Sequence, residues 1–215
     1  MGGPASGAPG RVGAELLDRA IGYARGSLAL VGPDLMAAPT PCSEWDLAAL
    51  LTHLADSLAS LHEAGSCGQV ALGTTKTPPD VRAALRVGTA SVLGDLPALT
   101  DSGHRGSGHR GRRDVLVGGR PLTTGMLAVA GALEVAVHGW DVSVACGHAR
   151  PLPDGLAAEL LRLAPVLVSE EDRPHRFAPA LPVSRGAPPG ERLLAFLGRP
   201  GGRSSCTGVP GGLSR

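Results

Sequence analysis

The chain has 215 residues, 43% of them apolar, enough for one domain with a real core. Its formal net charge of +1 gives no field to draw it onto nucleic acid or an anionic membrane, and aromatic residues at 2% starve any base-stacking surface. The four cysteines, Cys42, Cys67, Cys146 and Cys206, form no C-x-x-C pair, which argues against a zinc ribbon or a dithiol redox motif and for reduced thiols.

The stretch MGGPASGAPGRVGAE has no charged start followed by an apolar block, and no apolar run is long and uninterrupted enough to span a bilayer. The expected location is the cytoplasm. A first helix is predicted over 11–31, where Leu16, Leu17, Ala20, Ile21, Ala24 and Leu28 recur at spacings of three and four. After a proline-punctuated loop, SEWD offers a helix start, with Ser43 as cap and Asp46 in the acidic position of a capping box. The second helix then runs to about residue 64 on a stripe of leucines from Leu47 to Leu61. A weaker third covers roughly 79–96, opened by Pro79. DVLVGGRPL reads as a short hairpin turning at Gly118–Gly119. A fourth helix is expected over 123–146, closed by Gly147, a fifth over 154–169 and a short last one over 189–197. The fold class is all-α: a four-helix bundle with a small irregular or hairpin insertion and a short C-terminal helix, a single domain over 11–201. Residues 1–10 and 202–215 are expected to be disordered tails.

Between the third and fourth helices SGHRG occurs twice in tandem, and GSGHRG matches G-x-G-x-x-G. It follows no convincing strand and opens no helix, so it lacks what a dinucleotide site needs. His104, His109, Arg105, Arg110, Arg112 and Arg113 read as a solvated basic loop. His62, His148 and His175 fall near helix ends or in loops and are expected at the surface.

The informative stretch is GMLAVAGALEVAVHGWDVSVACG. Residues 121–140 carry one charged side chain, Glu134. A helix apolar all round is a buried helix, and a carboxylate inside it costs several kcal/mol unless paired or bound to a metal. His138 follows at i+4, on the same face. His53, at the edge of the second helix's leucine stripe, is the best third ligand. Two imidazoles and a carboxylate would leave an open position, the pattern of a catalytic metal site. Spacing alone leaves a second reading open, a hydrogen-bonded Glu134–His138 core pair.

TPCSEWDLAALLTHL and LEVAVHGWDVSVACG together resemble the actinobacterial metal-binding branch of the DinB-like superfamily, which includes the N-terminal bundle domain of mycothiol-dependent maleylpyruvate isomerase. FAPALPVSRGAPPGERLLAFLGRPG is similar to the end of a small-protein subfamily of that branch. The resemblance implies a four-helix bundle holding a divalent metal on His53, Glu134 and His138. It also covers Trp45, Trp140 and Asp141: the two tryptophans as packing, Asp141 as an orienter of a ligand imidazole, a helix cap or a partner for an arginine. Cys42 fits the pattern and is given no catalytic role. The isomerase carries a further C-terminal domain for which this chain is too short, so its substrate is not expected to transfer.

The leading functional expectation is a metal-dependent thiol transferase or isomerase of the mycothiol type. Zinc is the first choice of metal, and nickel or iron suit the same nitrogen and oxygen donors. Its partners would be a small-molecule thiol, with mycothiol as co-substrate, and a substrate, with no nucleic acid and no membrane; a homodimer is left open. The rivals are a non-enzymatic metal-binding or regulatory bundle and a metal-free helical interaction domain.

Overall fold

Each apolar stripe becomes the buried face of a helix. The computed structural model describes residues 9–70, 78–100, 114–148, 150–173 and 177–201. The four long helices are α1 (Pro9–Leu28), α2 (Leu47–Cys67), α3 (Val81–Thr100) and α4 (Thr124–Ala145). α5 (Asp154–Leu167) and α6 (Pro189–Phe196) follow. The tandem SGHRG loop, His175, Cys206 and the segment 202–215 lie outside the described residues. Pro9 and Gly10, expected in a tail, belong to α1.

α1 packs most extensively on α4, and α2 packs on both α3 and α4. α1 also meets α3, so α1 and α2 stand diagonally across the bundle. Leu17, Ile21, Leu50, Leu54 and Leu58 are fully buried between the helices. The α1–α4 approach is close because the residues at the contact are small. A methyl added at Gly13 would stand 2.6 Å from the Gly125 carbonyl oxygen, and one at Gly139 would stand 3.0 Å from Ala24 Cα.

α4 is apolar all round, as read: 16 of its 22 residues are buried. One expectation is corrected here. By length and composition α4 is apolar enough to cross a membrane, but most of it is buried inside the protein. Bundle contacts consume the surface that lipid would otherwise cover.

The cap of α2 also differs from expectation. Ser43 lies in a turn, and Asp46 is the cap, its Oδ1 accepting from the Ala49 N–H at 2.8 Å. Asp46 wins because the carbonyl groups of Ala38 and Met36 accept from Leu47 and Ala48 N–H, which pins the chain's entry there. α3 runs past its expected end through Pro97 to Thr100. The proline removes one backbone donor, yet the last turn still buries Leu99 against α1.

The predicted hairpin forms: β2 (Asp114–Val117) pairs antiparallel with β3 (Arg120–Thr123), Val115 opposite Leu122. Gly118 and Gly119 both take positive φ, 55° and 78°, as a two-residue turn of this hand requires. Unforeseen is a short parallel strand, β1 (Gln69–Val70), on the other side of β2. Ala64, Val70 and Val115 make a small second core under this sheet. β3 runs directly into α4, where the Thr123 hydroxyl accepts from Met126 N–H. The hairpin thereby sets where α4 begins and which way its faces point.

Candidate metal centre

Two helices that are adjacent in space, and far apart in sequence, present the site. His53 and Ser57 stand one turn apart on α2, and Glu134, His138 and Asp141 descend the facing side of α4. His53 Nε2 lies 2.5 Å from Glu134 Oε1, and His138 Nε2 lies 3.4 Å from the same oxygen. The Ser57 hydroxyl donates to that oxygen at 3.1 Å. One ligand atom from each of His53, Glu134 and His138 falls within 4.8 Å of the others.

Glu134 is not sealed in the core as its apolar neighbours suggest. Its side chain keeps 33% of its surface, and His53 keeps 38%, whereas His138 keeps 9%. The carboxylate sits at the mouth of the α2–α4 seam. Burial works to raise its pKa, but the two imidazoles outweigh that and hold it well below the usual carboxylate range.

Behind this trio lies a layer that orients it. His138 Nδ1 is 2.9 Å from Asp141 Oδ2. Asp141 is fully buried and is gripped by Arg199, whose Nε and Nη2 donate to its carboxylate at 2.8, 3.0 and 2.7 Å. Burial pushes the Asp141 carboxyl up, but His138 and Arg199 hold it below its ordinary value. An ionised Asp141 makes Nδ1 of His138 the donor. In the neutral ring the lone pair is then on Nε2, which faces Glu134.

Sequence reading allowed Asp141 an orienting role or an arginine partner; the structure gives it both. It did not single out Arg199. The signal was available: a buried acid on α4 needs a cation, and LGRPG follows the last helix. Arg199 arrives there through a helix stop. Gly198 takes φ 76° and donates to the Ala195 carbonyl, while Arg199 N–H donates to the Leu194 carbonyl. That reversal turns the chain back onto the bundle.

The loop before α2 closes one side. The Thr40 hydroxyl donates to the Trp45 carbonyl at 2.8 Å and accepts from the Cys42 N–H. This holds the Trp45 ring against His53, with centroids 4.6 Å apart, and near His138 at 6.1 Å. Trp45, expected as packing, is thus a wall of the site, whereas Trp140 is buried in the core.

Cys42, His138 and Asp141 form a second cluster of ligand-type atoms. Its cationic place is taken. Arg199 occupies both oxygens of Asp141, and its Nη2 is 3.4 Å from Cys42 Sγ. A divalent ion there would face a guanidinium at contact distance. The expected surface histidines behave as read: His62 is exposed and pairs with Asp95 on α3 at 2.6 Å, and His148 is exposed after α4.

The first trio fits a divalent ion by its chemistry. Two imidazole nitrogens and a carboxylate oxygen suit zinc, nickel or iron. Ligand atoms at bond lengths of about 2.0–2.2 Å around a tetrahedral ion stand about 3.4 Å apart, by simple geometry. The His138–Glu134 separation of 3.4 Å has that value, and the His53–Glu134 contact is a hydrogen bond 0.9 Å shorter, 3.4 against 2.5 Å.

Comparison with known proteins follows the same lines. The model for the mycothiol maleylpyruvate isomerase N-terminal domain matches residues 17–143. The chain is 30% identical over 194 residues to "Uncharacterized protein MT0763" of Mycobacterium tuberculosis (strain CDC 1551 / Oshkosh), covering 80% of this chain and 89% of that one. The same figures hold for "Uncharacterized protein Rv0738" of strain ATCC 25618 / H37Rv. No solved structure matches significantly.

Proposed function

The chain belongs to the mycothiol maleylpyruvate isomerase N-terminal domain family, a branch of the DinB-like superfamily, and on that premise we propose that it is a metal-dependent enzyme of small-thiol chemistry in the cytoplasm. The observation that carries this reading is the convergence of His53 Nε2, His138 Nε2 and Glu134 Oε1 at the half-open mouth of the α2–α4 seam. Three protein donors leave a coordination position for an exchangeable ligand, which a structural site with four would not. A divalent ion bound there, zinc first among the candidates, supplies a Lewis acid that lowers the pKa of a thiol or water.

The chain's own residues do the rest. His53 and His138 would hold the ion through their Nε2 atoms, the second aligned by Asp141 and Arg199. Glu134 offsets part of the positive charge, and the Ser57 hydroxyl fixes its oxygen. Trp45 covers the imidazoles on one side and narrows the approach. The co-substrate class is a low-molecular-weight thiol of the mycothiol type, and the reaction class is thiol transfer or thiol-assisted isomerisation.

The test is elemental analysis of protein purified without chelators, beside His53→Ala, followed by titration with a small thiol. About one divalent ion per chain in the wild type, loss in the variant and metal-dependent thiol binding support the reading. Equal, negligible metal in both removes it. Metal-loaded protein indifferent to thiols would make the chain a non-enzymatic metal-binding bundle.

A further inference from the structure

α1 and α3 run antiparallel, and they are close at only one end. At Gly10 an added methyl would meet the Leu99 carbonyl oxygen at 2.9 Å. Toward the end of α1 and the start of α3 the two helices part. The gap is a cavity of about 710 Å³, a volume ordinary for a small-molecule site. The metal candidate lies on the α2–α4 seam, on the opposite side of the bundle.

The floor of this wedge is aliphatic. Val31, Leu51 and Leu85 are buried, and Leu28 and Leu93 pack beside them. Among the described residues no aromatic side chain lines it, so none of them stacks on a flat ring there. The rim is cationic: Arg25 from α1 and Arg82 and Arg86 from α3. Among the described residues these three make no ion pair. Among the described residues Asp80 is the one acid in the lining, and its Oδ1 is engaged by the Ala83 N–H at 2.9 Å. Three cations to one acid, over an oily floor, complement an anion at one end and an aliphatic body at the other.

We propose that the α1–α3 wedge is a second binding site, distinct from the metal candidate, for an aliphatic carboxylate of the medium-chain fatty-acid type. Its chain lies on Val31, Leu51 and Leu85, and its carboxylate meets Arg82 and Arg86, one turn apart on α3, with Arg25 opposite.

Calorimetric titration of the full chain with decanoate, decanol and decyltrimethylammonium tests this. Decanoate is expected to bind about tenfold or more tightly than either comparator, and less tightly as salt rises. The exposed double variant Arg82→Ala/Arg86→Ala should weaken decanoate by about tenfold with an unchanged melting temperature. Ala90→Trp, which places bulk in the wedge, should abolish binding, and His53→Ala should leave it intact. Equal binding of decanol, indifference to the arginine variant, or loss in His53→Ala would each overturn the proposal.

Discussion

Asp141 Oδ2 and His138 Nδ1 are 2.9 Å apart, so a fully buried carboxylate dictates which nitrogen of a neighbouring imidazole carries the proton. The consequence is that Nε2, on the side of Glu134, is the nitrogen left for a divalent ion once the ring is neutral. Partners of this kind are worth about 10–100-fold in metal affinity. Asp141→Asn is therefore expected to weaken zinc binding by about that factor. A competitive chelator titration measures it, and unchanged affinity would remove the orienting role.

Arg199 and Asp141 form a buried pair, side chains 11% and 0% exposed. Removing one partner strands the other, a loss of about 3–5 kcal/mol. Arg199→Met should be destabilised by that order in denaturant unfolding. The double variant Asp141→Asn/Arg199→Met should recover much of the stability, because neither charge is left alone. It should not recover metal affinity, since the imidazole has lost the charged acceptor that fixes its proton on Nδ1. A double variant no more stable than either single one would mean that the pair is not coupled.

The metal-free protein carries a pH signature. Burial works against a charged His138, but hydrogen bonds to Asp141, Cys42 and Glu134 outweigh it and hold its pKa well above 6.5. A pKa raised on folding contributes stability that is whole below the unfolded value and is lost as pH rises through the folded one. Chelated protein should therefore melt at progressively lower temperature as pH climbs above about 6.5. His138→Gln should flatten that slope. Metal affinity should run the other way, rising with pH, because a ligand imidazole must be neutral. A chelated wild type with no such alkaline slope would contradict the assignment.

Two glycines of α1 make opposite predictions. Nothing lies within 4 Å of a methyl added at Gly22, so Gly22→Ala should stabilise by about 0.5–1 kcal/mol through helix propensity. At Gly13 the same methyl would stand 2.6 Å from the Gly125 carbonyl oxygen and 3.0 Å from Ala128 Cβ. There the overpacking, about 1–3 kcal/mol, is expected to exceed the propensity gain, so Gly13→Ala should melt lower. If both variants melted higher, close α1–α4 packing would not be holding α4 in place.

Periodicity by itself determined the helices. Leu17, Ile21, Leu50, Leu54 and Leu58 repeat at helical spacing, and burying such a stripe is the largest favourable term available to the chain. Gly118–Gly119 likewise announced the hairpin, because few other residues tolerate both positive φ values. Glu134 and His138 could be paired from their spacing, and His53 stood out at the edge of the second helix's leucine stripe, a choice the matching motifs reinforced. The two-residue β1 escaped notice, being too short to carry a pattern. The exposure of Glu134, the wall made by Trp45 and the grip of Arg199 on Asp141 were left to tertiary structure. Each depends on how far one helix stands from another and on where a loop returns. Those are three-dimensional distances between residues separated by up to 157 positions, as Cys42 and Arg199 are, and no local repeat encodes them.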